Sequence, residues 1–199
     1  MLNERFWYYA FLLVLAISIL LPYLWPRPPA EMVRIPQQML ESILALGTNP
    51  GATAFIEFGS LESPVSRDYR STVKKTLEMN PSVNYIWIHL PSQQSISGQI
   101  AAVLLECMRD QGLFYESLFS FWDIENLTQQ QMINAIAREG NATLAWECAK
   151  SGKKEDIVEQ HLAWASAIRV VSPPTFFVNG RQILEPYTTE RLTLEIKKA

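Results

Sequence analysis

Residues 54–67 read Ala-Phe-Ile-Glu-Phe-Gly-Ser-Leu-Glu-Ser-Pro-Val-Ser-Arg, and the fold turns on them. Ala54 to Phe58 has the make-up of a short buried strand. Ser63-Pro64 has that of a helix start: Ser caps well, and Pro is favoured at the first helical position because its missing N–H loses no partner. A strand that breaks directly into a helix sets Ser63 and Ser66 beside unpaired backbone N–H groups, where the helix dipole favours negative charge. Glu57, inside the strand, has two readings: a buried acid with a raised pKa, or a strand-end carboxylate reaching solvent.

Working outward, the Ser63 helix runs to about Met79 and closes at Asn80-Pro81. Val83 to Leu90 is a second strand, rich in β-branched and aromatic residues. Strand, helix, strand at this spacing is a βαβ unit, so the two strands are expected parallel. Helices are predicted over 97–111, 114–121, 128–140, 142–150 and 153–169, with Thr128 and Gln131 in capping-box spacing. Ser172-Pro173-Pro174 breaks into a strand at Thr175 to Val178. Asn179-Gly180 is a hairpin turn, Arg181 to Leu184 returns, and Thr188 or Thr189 caps a last helix. Upstream, Pro36 to Leu46 has helical spacing and stops at Gly47.

The chain has 199 residues, 48% hydrophobic and 19% charged, with a net charge of -3. A pI near 5.5 argues against nucleic acid as a partner, which would need a basic face. Phe6 to Trp25 carries no charge and is long enough to cross a bilayer as a helix. Trp7, Tyr8 and Tyr9 at one end and Tyr23 and Trp25 at the other form an aromatic belt. The expectation is a transmembrane anchor over 1–26, then a linker and N-terminal helix over 27–50; a cleaved signal peptide is the competing reading. Charge around the segment is balanced, so it does not set the sidedness.

From Gly51 to Lys198 the residues resemble the DsbA-like thioredoxin family. Phe55-Ile56-Glu57-Phe58 resembles its first active-site strand, acid included. Ser63-Pro64-Val65-Ser66 falls where the family has Cys-Pro-x-Cys. Gln111-Gly112-Leu113-Phe114-Tyr115 resembles a step in its helical insertion, and Pro173-Pro174-Thr175-Phe176-Phe177-Val178-Asn179-Gly180-Arg181 resembles its Thr-Pro-Thr-Phe-Phe-Val-Asn-Gly-Arg. The implied architecture is an α/β thioredoxin fold over 51–199 with a helical insertion at about 92–169. The resemblance also implies that Pro174 is cis and faces the helix start, with Pro173, Pro174 and Thr175 forming a peptide-receiving loop. It further implies that Cys107 and Cys148 pair in a disulfide within the insertion, suiting an oxidising compartment; two buried free thiols are the alternative.

Both motif cysteines of the family are serine here. Thiol–disulfide exchange needs a thiolate that attacks sulfur and a second sulfur that resolves the product. Ser63 and Ser66 supply neither, so the expectation is a non-catalytic binding or accessory protein of a membrane complex, contacting protein partners. The implied setting is the bacterial inner membrane, with the domain on the periplasmic side. Two alternatives are enzymes. One is a thiol:disulfide oxidoreductase whose cysteines were replaced by engineering. The other is a glutathione-dependent enzyme resembling kappa-class transferases, whose serine at this helix start serves a glutathione thiolate. No cofactor or metal is expected: Cys107, Cys148, His89 and His161 lack zinc-ligand spacing, and His89 reads as structural. Phe114, Tyr115, Phe119, Phe121 and Trp122 read as core of the insertion. Asn126 and Asn141 begin glycosylation-type triplets, which mean little in a bacterial protein.

Overall fold

A computed structural model describes residues 7, 9, 11–18, 32–47, 49 and 51–199. The chain divides into two compact units, Met1–Glu31 and Met32–Ala199. In the first, residues 7, 9 and 11–18 are helical and exposed. The rest of the predicted anchor lies outside the described residues, and no described helix is long and apolar enough to cross a membrane.

The second unit is built on four strands: β1 (Ala54–Gly59), β2 (Asn84–His89), β3 (Thr175–Val178) and β4 (Arg181–Gln182), in the order β2-β1-β3-β4. β1 and β2 are parallel, as the βαβ reading expects, and β3 runs antiparallel to β1, with Thr175 opposite Phe58. Eight helices of this unit are α1 (Gln37–Leu44), α2 (Pro64–Met79), α3 (Ile96–Arg109), α4 (Phe114–Trp122), α5 (Gln129–Glu139), α6 (Ala142–Lys150), α7 (Glu155–Ala167) and α8 (Thr189–Lys197). Helices α3 to α7 form the predicted insertion between β2 and β3.

Side chains of β1 alternate between the two faces of the sheet. Ile56 and Phe58 join Ile86, Ile88 and Phe177 in one core, closed by Ile43 of α1 and Ala165 of α7. Phe55 joins Tyr85, Trp87 and Phe176 in the other, larger core beneath the insertion. Every β1 residue is buried, so the strand reads as continuous apolar sequence, and Glu57 is the exception that needs explaining.

Helix starts follow the caps in the sequence. Side-chain oxygens of Ser63, Ser95, Thr128, Asn141 and Thr188 each accept the N–H three residues on. Asn141 is thus committed to a cap. The linker does more than link. Ile35 N–H donates to Gly180 O at 2.8 Å and Gln182 N–H to Val33 O at 3.0 Å, so residues 33–35 pair with β4. A two-residue edge strand leaves backbone groups needing partners, and nothing local in the sequence announces which segment supplies them. The outer edge of β2 is closed by side chains of the insertion. Tyr115 Oη donates to Tyr85 O at 2.5 Å, and His89 N–H donates to His161 Nδ1 at 3.3 Å.

Candidate functional site

Ser63 caps α2 as the sequence predicts, its Oγ accepting Ser66 N–H at 3.2 Å. Ser66 is buried, and its Oγ accepts Ser60 N–H at 3.4 Å. Both hydroxyls are therefore occupied by local backbone donors. No histidine or carboxylate hydrogen-bonds to either among the described residues, so neither is activated as a nucleophile. Val65 between them is half exposed.

The Pro173–Pro174 peptide is cis, as the resemblance implies. Pro174 and Thr175 are buried and Pro173 is half-buried. Thr175 Oγ1 donates to Ser172 O at 2.7 Å, bracing the loop. Because Thr175 pairs with Phe58, the loop lies at the end of β1 from which the chain enters α2. The register thus brings Pro173–Thr175 and Ser63–Ser66 to the same end of the sheet.

Beneath them lies Glu57, 2% exposed, which decides between its two readings. Tyr85 Oη donates to Glu57 Oε2 at 2.7 Å. Burial pushes the carboxyl from its ordinary 4.5 up to about 8; the Tyr85 hydrogen bond and the charge of Arg70 oppose this without cancelling it. Glu57 is therefore protonated at neutral pH. Arg70 of α2 donates to Leu61 O at 3.1 Å and to Trp122 O, tying the loop before the motif to the end of α4. Glu62, just before Ser63, reaches the other way: its Oε1 accepts Ser92 N–H at 2.6 Å. Its carboxylate lies against Gly98, where a Cβ would overlap it. These ties hold the motif loop to the insertion from two sides.

Sequence reading missed Tyr85, Arg70 and Glu62, and it missed a second buried polar group. Trp87 Nε1–H donates to His89 Nδ1 at 3.1 Å, and His89 Nε2 meets Glu106 Oε1 at 2.9 Å. Arg109 engages both Glu106 oxygens, at 2.8 and 3.1 Å, and stacks over the Phe114 ring at 3.7 Å. Burial alone would raise Glu106, but hydrogen bonds from His89 and Arg109 outweigh it and hold the carboxyl well below the usual range. Burial, with His89 beside it, pushes His161 down to about 3, so its ring is neutral. Donor atoms of His89, Glu106 and His161 lie within 4.8 Å of one another, close enough to suggest a metal. The hydrogen bonds argue otherwise. An indole N–H can only donate, so His89 Nδ1 carries a lone pair and Nε2 carries the proton. His161 Nδ1 accepts the backbone N–H of His89, which leaves its own proton on Nε2. His89 thus turns an N–H rather than a lone pair toward Glu106, whose charge Arg109 already balances, while His161 Nε2 is buried without a hydrogen-bond partner among the described residues. The ion pair of Glu106 and Arg109 lies within α3, and the His89–Glu106 hydrogen bond anchors that helix to β2, which is the structural role read for His89 from the sequence. The i, i+3 spacing of Glu106 and Arg109 was the one sequence signal for the ion pair.

Cys107 and Cys148 form the disulfide, with Cα atoms 5.9 Å apart, and no free cysteine remains. Phe114, Phe121 and Trp122 are buried core, with Tyr115 and Phe119 packed partly buried against them.

A Na(+)/H(+) antiporter NhaA 1 of Salinispora arenicola is 25% identical over 201 residues, covering 86% of this chain and 29% of the antiporter. The Na(+)/H(+) antiporter NhaA of Nitrosospira multiformis is 28% identical over 155 residues, 74% of this chain and 24% of that protein. The chain thus spans under a third of these relatives. Among solved structures, a thioredoxin-like oxidoreductase from Silicibacter pomeroyi superposes with a TM-score of 0.70 at 14% identity, covering 80% of this chain and 98% of that one. BdbD of Bacillus subtilis gives 0.66 at 16% identity, covering 77% and 90%. DsbA2 of Pseudomonas aeruginosa gives 0.53 at 21%, covering 73% and 87%. At these identities the likeness is one of fold. The sequence profile described as Thioredoxin matches residues 41–198, spanning the sheet, the capped α2, the insertion and the cis-proline loop, and on that extent the chain belongs to the thioredoxin family, with the DsbA-like helical insertion.

Proposed function

We propose that this protein is a membrane-anchored, redox-inactive thioredoxin-fold protein that binds a protein partner, as an accessory or assembly subunit of a membrane complex. One observation carries the reading. At the position of the family's two thiols stand hydroxyls that only accept backbone hydrogen bonds, while the cis-proline loop beside them is retained. A hydroxyl does not exchange with disulfides, so what persists is a shape able to receive an extended chain. The antiporter relatives lend support, since there a region like this one makes up 29% of a protein named for transport across a membrane. The anchor is the uncharged segment from Phe6 to Trp25, and the domain faces the periplasm of a bacterial inner membrane.

The full chain, with an aryl-azide crosslinker on Val65→Cys, is expected to give a discrete protein adduct in its native membranes. It is also expected to leave insulin disulfides unreduced. Insulin reduction by the chain as it stands would overturn the redox-inactive reading. The absence of any adduct at Val65, with expression unchanged, would overturn the binding role. Heat on titration with glutathione, abolished by Ser63→Ala, would favour the glutathione-dependent alternative instead.

A further inference from the structure

A groove of about 530 Å³ lies within the insertion, between α3, α6 and α7. Each helix lends it an apolar stripe at helical spacing: Ile96, Ile100 and Val103 from α3, Trp146 and Ala149 from α6, Val158 and Leu162 from α7. Ile96 is 76% exposed, much bare surface for an isoleucine in the first turn of a helix. The Cys107–Cys148 disulfide ties α3 to α6, so two of the three walls are held at fixed separation. None of these residues belongs to the motif or to the cis-proline loop.

We propose that this groove receives an amphipathic α-helix with a cationic edge, presented by a partner protein. Secondary structure follows from the walls. All three are helices whose interior backbone groups are already paired. An extended segment laid among them would leave its own N–H and C=O groups unpaired against apolar side chains, whereas a helix satisfies its own. The stripe from Ile96 to Val103 spans roughly 10 Å, two turns of an occupant. Charge follows from the rim. Glu155 and Glu159 of α7 are exposed and make no ion pair among the described residues. Among the described residues the rim cation is Lys150, which sits 5.8 Å over the Trp146 ring. The helix dipole accounts for Glu155 in the first turn of α7 but not for Glu159, a turn further in. The unbalanced charge beside the apolar floor is therefore negative, and the matching helix carries Lys or Arg beside its apolar face.

The test uses the full chain in phosphatidylcholine nanodiscs, labelled with 5-fluorotryptophan, with the Trp146 resonance assigned through Trp146→Phe. The probe is a leucine–lysine peptide of about fourteen residues, four helical turns, with Leu spaced to form one face. The Trp146 fluorine signal is expected to shift and saturate while the buried Trp87 signal stays in place. The glutamate twin of the peptide is expected to give no shift. Glu155→Lys with Glu159→Lys is expected to weaken the response roughly tenfold, and Ile96→Glu to abolish it. The proposal is overturned by an unmoved Trp146 signal, by equal response to the glutamate peptide, or by indifference to the charge reversal. A concentration-dependent shift without peptide would also overturn it, marking the face as a contact between copies. Because Ile96 and Glu159 are exposed, the variants leave the core untouched, and an unchanged Trp87 signal confirms that they fold. Loss of this groove's binding would leave the Val65 crosslinking result as it was.

Discussion

Glu57 shows how one side chain can set the pH response of the domain. In the folded state its pKa stands at about 8 against an ordinary 4.5. Below the lower value both folded and unfolded chains hold the proton, and Glu57 adds no pH dependence. Between the two values the unfolded chain has released its proton and the folded one has not, so stability falls by about 1.4 kcal/mol per pH unit. Above the upper value the loss is complete. Glu57→Gln keeps an acceptor for the Tyr85 hydroxyl and cannot ionise. The variant is therefore expected to gain on the parent as pH climbs through that window and to hold a constant lead beyond it. Urea midpoints for both proteins at acid, neutral and mildly alkaline pH would show this, and parallel curves would mean that another group titrates. Composition could name Glu57 as a candidate but not decide its burial. That depended on Trp87 and Phe176, its partners in the two flanking strands.

At the scale of elements, two glycines and one disulfide hold the motif loop and the insertion in place. A Cβ on Gly59 would overlap the rigid Trp87 ring, while one on Gly98 would meet only the end of the Glu62 side chain. Gly59→Ala is expected to cost about 1–3 kcal/mol or more through overpacking. Gly98→Ala costs less, because Glu62 can swing away. Thermal unfolding of the two variants side by side checks the order, and a costlier Gly98→Ala would show that the Glu62 tie matters more than the Trp87 contact. The disulfide closes a separation of 41 residues, for which loop-closure entropy predicts about 4 kcal/mol. Replacing both Cys107 and Cys148 with Ser is expected to lower the urea midpoint accordingly; a change below about 1 kcal/mol would show that packing between α3 and α6 already orders the unfolded insertion. The helices were legible because each cap and periodic stripe is local. The pairing of 33–35 with β4 was not, since its partner lies far along the chain.

For the molecule as a whole, the thioredoxin scaffold is complete with serine at positions 63 and 66. The cis-proline loop, the buried acid and the capped helix survive without sulfur, because sheet and cores draw nothing from the motif side chains. Ser63→Cys together with Ser66→Cys is thus expected to fold and to acquire insulin-reducing activity from none, read as turbidity against time. An inactive but folded double variant would show that the loop geometry has drifted beyond what exchange tolerates. It would strengthen the case for a site kept for binding.

Sequence by itself determined the order of elements and the caps at Ser63, Thr128 and Thr188, because each rests on residue type and short spacing; the cis-proline loop followed from the family resemblance. Tertiary structure alone decided that Glu57 is buried and neutral, that His89 and His161 serve an ion pair and a strand edge, and that three helices share an apolar groove. Those outcomes depend on which groups meet across sequence separations of 17 to 72, and burial and hydrogen bonding between distant segments leave no periodic trace in the chain.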